Sequence, residues 1–264
     1  MKKDLTFKET QAITSMLFGL FFGAGNLIFP AMMGQQAGWN VLPALAGFLV
    51  TGVGLPLLSV VSLGITGSNG LSDLAGLVGE KFKYVFTAAL YLTIGPFFAA
   101  PRCVTVPFEA GVRPFLKEGT DAKLALFLFS SAFFLLILLF SLRPGKILTI
   151  IGKILNPIFM IVLGILVITA VVNAVSIRHF TPSVEYQNFA FFKGLLDGYN
   201  TMDTLAGLAF GIIVVTVIRD LGITDQKDIA RNTIKAGISS CSLMAVIYLL
   251  VALTGTFSLS YMEV

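Results

Sequence analysis

Long apolar stretches, separated by short polar segments, run along almost the whole chain. A helix needs roughly 20 predominantly apolar residues to cross a bilayer, and hydropathy averaged over windows of about 19 residues marks such helices. The pattern predicts an all-α membrane protein with one transmembrane domain over residues 1–264. The seven predicted spans are 11–32, 41–65, 84–108, 122–141, 147–177, 190–218 and 232–258.

The composition excludes an ordinary soluble domain. Of the 264 residues, 56% are apolar and 12% are charged, whereas soluble domains carry about 25% charged residues. The net charge of +4 comes from Lys and Arg residues that stand singly between apolar stretches, and they do not form the basic face that binds nucleic acid. We therefore expect the lipid bilayer as a partner and no nucleic acid.

Basic residues are distributed unevenly between the two sides of the predicted membrane. If the N-terminus lies inside, the inner segments contain Lys2, Lys3, Lys81 and Arg231, among others, and outnumber the outer segments in basic residues. Lys and Arg in short loops are retained on the cytoplasmic side, so the sequence predicts a cytoplasmic N-terminus. An odd number of spans then places residue 264 outside.

The middle of the first predicted span is a poor helix. Gly23, Ala24 and Gly25 precede Asn26 there, and each glycine in a helix interior costs about 1 kcal/mol relative to alanine. One interpretation is that the glycines allow close packing of membrane helices. The other is an opened backbone, which must face protein, water or a ligand because unpaired N–H and C=O groups in lipid cost several kcal/mol. The second interpretation makes this segment a candidate binding site.

The sixth predicted span is interrupted in a similar way. Tyr199, Asn200, Thr201 and Asp203 surround Met202 ahead of a long apolar run. A charged residue near the bilayer centre costs at least about 2.5 kcal/mol, so Asp203 is a candidate functional residue. The alternative is a span that starts later and leaves Asp203 in an outer loop or at a helix N-terminus.

Two interrupted spans, five positions apart, are what an inverted five-helix repeat produces, and such a pair indicates the binding site of a secondary transporter. The amide end of a half-helix favours a carboxylate, and opened carbonyls favour a cation or an ammonium group. We predict that both breaks are buried and face each other. The predicted substrate-binding residues are Gly23, Ala24, Gly25, Asn26, Tyr199, Asn200, Met202 and Asp203. Oxygen ligands suit hard cations, and the predicted ligands for a coupling Na⁺ or H⁺ are Asn26, Thr201 and Asp203, with no other cofactor.

Arg102 lies towards the outer end of the third predicted span. Arginine at such a depth commonly extends its charge to the membrane interface, and we interpret Arg102 as structural. Glu109, at the end of the same span, is expected to pair with Arg102 or Arg113.

An intramembrane protease is the enzymatic alternative, because Asp197 and Asp203 are two carboxylates near the membrane. Paired catalytic carboxylates lie a few Å apart, and a separation of six residues on one segment does not suit that chemistry. The sequence also has no serine nucleophile elbow. We expect no enzymatic activity.

Several motifs place this sequence close to a known family. They are FGAGNLIFP at residues 22–30, GVGLP at 52–56, GPFFAAPRCVTVPFE at 95–109, RPGK at 143–146 and GYNTMDTL at 198–205, followed by FG at 210–211. In these motifs the chain resembles the branched-chain amino acid carriers, also called the leucine-isoleucine-valine cation symporters. The resemblance covers essentially the whole chain.

The resemblance implies a LeuT-type helical bundle, with the first five-helix repeat complete and the first two helices of the inverted second repeat. It also implies import of leucine, isoleucine and valine across the plasma membrane, driven by a sodium or proton gradient. Family members look like twelve-span proteins in which the first and eighth spans share a cation site. We therefore expect a truncated chain that does not accumulate substrate by itself. The alternatives are a transporter of this architecture for another small substrate and a non-transporting fragment or membrane subunit.

Overall fold

Helices joined by short turns make up the computed structural model, which describes residues 2–117, 119–142, 156–172 and 181–258. Within these residues there is no β-strand. The α-helices are α1 (Phe7–Phe21), α2 (Gly25–Ala37), α3 (Val41–Leu49), α4 (Leu55–Thr66), α5 (Leu71–Gly76), α6 (Glu80–Leu92), α7 (Ala99–Gly111), α8 (Ala122–Ser141), α9 (Asn156–Val172), α10 (Val184–Gln187), α11 (Ala190–Tyr199), α12 (Asp203–Asp220) and α13 (Gln226–Ser258).

Five helical stretches of the described chain are long and apolar enough to cross a membrane, and a shorter apolar helix covers Pro157–Ala170. The five are Gly25–Thr66, Glu80–Phe115, Ala122–Ser141, Ala190–Asp220 and Gln226–Ser258. The chain is therefore a multi-pass membrane protein, and the part that the structure describes is all-α. The fourth predicted span, 122–141, coincides with α8. Only 156–172 of the fifth predicted span, 147–177, is described, and the RPGK motif and residue 264 lie outside the described residues.

The first predicted span, 11–32, consists of two helices. A capping box formed by Thr6 and Glu9 starts α1, and Lys2 pairs with the Glu9 carboxylate at 2.7 Å. The hydrogen bond from Lys2 and the capping bonds from Thr6 lower the pKa of Glu9 to about 2. The helix ends where Phe22 adopts an extended backbone, and α2 begins only at Gly25. The predicted break is therefore present.

A second break separates α11 from α12. The first of these helices ends at Tyr199, and the second begins at Asp203. Between them Met202 has a φ of 66°, in the left-handed region that L-residues with a side chain seldom adopt. The interruption predicted for the sixth span is therefore also present.

The third span contains a break that the hydropathy pattern did not predict. A π-helical turn, Thr93–Phe97, follows α6, and Gly95 inside it has non-helical backbone angles. Pro96 cannot donate a backbone hydrogen bond, which weakens the helix at this point. The chain resumes helical geometry in α7, so α6 and α7 form one span with a kink.

The longest helix, α13, packs against α1, α2 and α4, while α11 packs against α3 and α12 against α4. Glycines allow the closest of these contacts. A Cβ atom on Gly34 of α2 would lie 1.9 Å from the Ala252 carbonyl oxygen of α13, and one on Gly194 of α11 would lie 1.9 Å from that of Ala44 in α3. These contacts bring the two breaks and the middle of α13 together.

Candidate functional site

The two helix breaks meet at one hydrogen bond between buried side chains. Asn26, in the first turn of α2, donates its Nδ2 to Oδ2 of Asp203, the first residue of α12, at 2.5 Å. Only 1% of Asn26 and 2% of Asp203 is exposed. The two side chains that sequence analysis singled out on the first and sixth spans are therefore direct neighbours, 177 residues apart in the chain.

Tyr248 of α13 completes this group, although its sequence context did not indicate a site residue. Its hydroxyl donates to Oδ2 of Asp203 at 2.8 Å and accepts a hydrogen bond from Nδ2 of Asn26. The side chain is fully buried and lies edge-on to the Phe48 ring, with ring centroids 5.0 Å apart. We call Asn26, Asp203 and Tyr248 the buried polar cluster.

Short-range hydrogen bonds hold the opened backbone in place. The Asn26 Oδ1 atom accepts from the backbone N–H of Gly23 at 2.9 Å, so one side chain both braces the first break and contacts the second. At the second break the Thr201 hydroxyl donates to the Gly198 carbonyl at 2.8 Å and accepts a longer bond, of 3.5 Å, from the backbone N–H of Asp203. Polar side chains thus replace the helical bonds that the breaks lose.

Arg102 of α7 reaches the second break from the third span. Its Nη1 donates to the Asn200 carbonyl at 2.7 Å, and its Nη2 donates to the Thr201 carbonyl at 3.1 Å. Glu109 pairs with Arg113 instead, at 2.5 Å. The interfacial role predicted for Arg102 is therefore incomplete, because span hydropathy does not indicate which side of a helix faces a neighbouring break.

The remaining predicted site residues occupy different surroundings. Gly25 and Thr201 are buried beside the cluster, while Ala24 and Met202 are half-buried. Gly23, Tyr199 and Asn200 are exposed. The prediction that both breaks are buried therefore holds for Gly25, Asn26, Thr201 and Asp203, which lie within or directly beside the breaks, and fails for these three residues.

An open cavity of about 590 Å³ lies next to the second break. The residues that line it are Phe29, Met32, Met33, Gln36, Ser183, Val184, Glu185, Tyr186, Lys193, Asp197 and Asn200. Its polar wall is an ion pair between Lys193 and the buried Asp197, 2.8 Å apart, and Tyr186 donates a hydrogen bond to the same carboxylate. Burial, together with the adjacent Asp197, raises the pKa of Tyr186 above its ordinary range, so this phenol stays protonated.

Metal-binding side chains do not cluster here. Among the residues that the structure describes, no group of three or more His, Cys, Asp or Glu side chains could hold a metal ion. A cation at the breaks would be held by the Asp203 carboxylate together with amide, hydroxyl and backbone oxygens, the ligand types that hard monovalent and divalent cations accept.

Comparison with known proteins identifies the family. The family model described as branched-chain amino acid transport protein matches residues 6–263. The branched-chain amino acid permease BrnQ of Lactobacillus delbrueckii subsp. lactis is 52% identical over 98% of this chain and 58% of its own length. The permeases of the same name from Bacillus subtilis and Escherichia coli K12 are 45% and 40% identical over 98% and 100% of this chain.

The chain spans somewhat less than 60% of the length of these curated relatives. No solved structure gives a significant match. The family model covers nearly the whole sequence, and the motifs around both breaks lie within the matched region. This chain belongs to the branched-chain amino acid transport protein family.

Proposed function

We propose that this sequence forms part of a cation symporter that imports leucine, isoleucine and valine across the plasma membrane. The observation that carries the proposal is the buried polar cluster, in which a carboxylate from one helix break is hydrogen-bonded to an amide from the other. An intramembrane carboxylate that joins two discontinuous helices is typical of a substrate or ion pathway. The family match supports branched-chain amino acids as the substrate class.

The ends of the broken helices supply opposite partial charges for an amino acid. The α2 helix starts at Gly25, and the positive end of its dipole favours the substrate carboxylate. The Asp203 carboxylate lies on the other side of the same junction and favours an ammonium group or a coupling cation. Phe22 and Met202, both half-buried at the breaks, offer apolar surface for the aliphatic side chain.

Contacts between loops support our proposal that the N-terminus lies on the cytoplasmic side. Asp4 pairs with Arg231 at 3.0 Å, which places the N-terminus and the start of α13 on the same side. Asn40 donates to the Tyr186 carbonyl at 2.9 Å, which joins the segments that follow α2 and precede α11. The basic residues belong mainly to the first of these two sides, as expected of the cytoplasmic side.

Asp203→Asn tests this function in a full-length carrier that contains this sequence. The change keeps the size of the side chain and removes its charge. If the carboxylate holds the ammonium group or a cation, about 1.5–3 kcal/mol is lost, or roughly tenfold to a hundredfold in apparent affinity. Initial rates of radiolabelled leucine uptake into membrane vesicles, with a sodium gradient and then with a proton gradient, measure the effect.

The matched control is Asp121→Asn, because Asp121 caps α8 through two backbone N–H groups and asparagine caps a helix about as well. We expect this control to transport like the parent at equal expression. Uptake by Asp203→Asn within twofold of the parent, at every leucine and cation concentration, would reduce Asp203 to a structural residue.

A further inference from the structure

The guanidinium of Arg102 lies at the carbonyl end of α11. The last carbonyls of a helix have no partner within it and carry a partial negative charge. Here the break leaves the carbonyls of Asn200 and Thr201 without helical partners, and Arg102 donates to both, at 2.7 and 3.1 Å. A fixed cation therefore occupies the position at which opened carbonyls would otherwise attract a free one.

The same guanidinium also contacts the first break. It lies over the Phe29 ring of α2, with its Cζ atom 5.5 Å from the ring centroid. Its Nη2 atom is 3.0 Å from the position that a Cβ atom on Gly25 would occupy. A side chain at position 25 would crowd the guanidinium. Glycine at this position therefore makes room for Arg102, in addition to weakening the helix. Arg102 is thus wedged between the two breaks.

The charge of Arg102 is close to the only carboxylate of the buried polar cluster. Its two acceptors belong to the residues two and three positions before Asp203 in the chain, and Thr201 also contacts the backbone N–H of Asp203. The other titratable side chains that face Asp203 are Tyr248 and Cys241 of α13. The fixed positive charge of Arg102 stabilises the Asp203 carboxylate when no ion is bound, and it repels any cation that binds at this carboxylate.

We propose that Arg102 is a resident cation at the second break, and that it acts as a positioning residue in two ways. It keeps the carbonyls of Asn200 and Thr201 from binding an exchangeable cation, so that the coupling ion is confined to the buried polar cluster. It also weakens the binding of that ion at Asp203, which makes its release on the inner side easier. This inference rests on the proposed cation symport.

Three variants of a full-length carrier test the inference. Arg102→Gln keeps a hydrogen-bond donor and removes the charge, while Arg102→Lys keeps the charge on a different donor geometry. Arg113→Gln is the control, because it removes an exposed charge that lies just beyond the same helix and pairs with Glu109. The measurement is leucine uptake against sodium concentration at fixed pH, and against pH at fixed sodium, for each variant.

For Arg102→Gln we expect the concentration of the coupling cation at half-maximal uptake to fall about tenfold. This is the size of the change in affinity expected when one unit charge near a cation site is removed at an effective dielectric constant of about 20. Arg102→Lys and Arg113→Gln should stay within about twofold of the parent. A folding defect lowers the maximal rate and does not increase cation affinity, so this readout separates positioning from stability.

Equal cation affinity in the parent, Arg102→Gln and Arg102→Lys would overturn the inference, as would an equal shift in both Arg102 variants. If Arg102→Gln does not reach the membrane, Arg102→Met removes the same charge with an apolar side chain of similar reach, and the same two outcomes decide. A parent that takes up leucine without dependence on sodium or pH would instead contradict the proposed symport itself.

Discussion

The Tyr248 hydroxyl has two roles in the buried polar cluster, because it donates to Asp203 and accepts from Asn26. It is hydrogen-bonded to a side chain at each of the two breaks. No nearby backbone group serves this purpose, since the middle of α13 is continuous helix. One oxygen atom of the seventh span is therefore hydrogen-bonded to side chains of both the first and the sixth spans, in addition to the helix packing around it.

Tyr248→Phe removes that oxygen and keeps the ring. We expect the free energy of unfolding to fall by about 1–3 kcal/mol, because the change leaves a buried carboxylate with one donor fewer. A free-energy change of the same size at the cation site corresponds to a fivefold or larger change in cation affinity. Cation-dependent leucine uptake and thermal unfolding in detergent measure the two components. Tyr84→Phe, at a side chain that is 68% exposed, should change neither, and equal behaviour of the two variants would exclude a role for the Tyr248 hydroxyl.

The site was partly predictable at this scale. Asn26 and Asp203 stand out because amide and carboxylate groups are costly inside an apolar stretch. Tyr248 does not stand out, since a tyrosine within an apolar run is usually an aromatic packing residue with one polar atom. Arg102 lies where arginines commonly extend to the membrane interface, and only the three-dimensional proximity of α7 and α11 reveals its hydrogen-bond acceptors.

At the scale of the helices, two pairs pack through reciprocal glycines. Gly34 of α2 and Gly255 of α13 each face a carbonyl of the other helix, and so do Gly47 of α3 and Gly194 of α11. Small residues of this kind allow membrane helices to approach closely. The first pair holds the half-helix after the first break, and the second holds the half-helix before the second break.

Gly194→Ala is expected to destabilise the protein, because its Cβ atom would lie 1.9 Å from the Ala44 carbonyl oxygen. Overpacking of this kind typically costs about 1–3 kcal/mol. The matched control is Gly164→Ala in α9, where no described atom beyond the adjacent residues and the backbone of the same helix lies within 4 Å of the added carbon and alanine favours the helix. Thermal unfolding in detergent should show a lower midpoint for the first variant only. An unchanged midpoint would mean that α3 and α11 separate readily.

Hydropathy predicted helix positions better than helix continuity. The boundaries of α8 were predicted to the residue, because polar residues bound its apolar run on both sides. The start of α13 at Gln226 was missed by six residues, since a helix that extends beyond the apolar region leaves no hydropathy signal. The kink at Gly95 was missed for a different reason, because a window average of hydropathy does not detect a local loss of hydrogen bonds.

At the scale of the whole molecule, the segment before α1 is attached to the start of α13. Asp4 pairs with Arg231 and Lys235, at 3.0 and 3.3 Å, on an exposed surface. Asn232, which is 2% exposed, donates to the Lys3 carbonyl and accepts from the Leu5 N–H. The ion pairs are exposed and the Asn232 amide is buried, and this difference predicts how much each contact contributes to the free energy of unfolding.

Asn232→Ala is expected to cost about 1–2 kcal/mol in the free energy of unfolding, since it removes a buried amide that hydrogen-bonds to the Lys3 carbonyl and the Leu5 N–H. Asp4→Asn should cost less than about 1 kcal/mol, because exposed ion pairs contribute little, and its effect should vanish at high salt. Thermal unfolding at low and high ionic strength checks both. A larger effect for Asp4→Asn would show that the ion pairs, and not the buried amide, hold this segment.

The two glycine-packed pairs also bear on the proposed architecture. One pair joins the first and seventh spans, and the other joins the second and sixth, which is the arrangement that an inverted repeat would generate. This correspondence supports the LeuT-type bundle as a proposal. The chain spans somewhat less than 60% of the length of its relatives.

The backbone of Met202 limits how the second break can change. Among the described residues it is the only non-glycine residue with a positive φ, a conformation that costs roughly 1–2 kcal/mol for an L-residue. To join α11 and α12 into one straight helix, φ at Met202 would have to change sign across a sterically forbidden region. Gradual bending does not achieve this. Tilting of the two half-helices alone therefore cannot turn the second break into continuous helix.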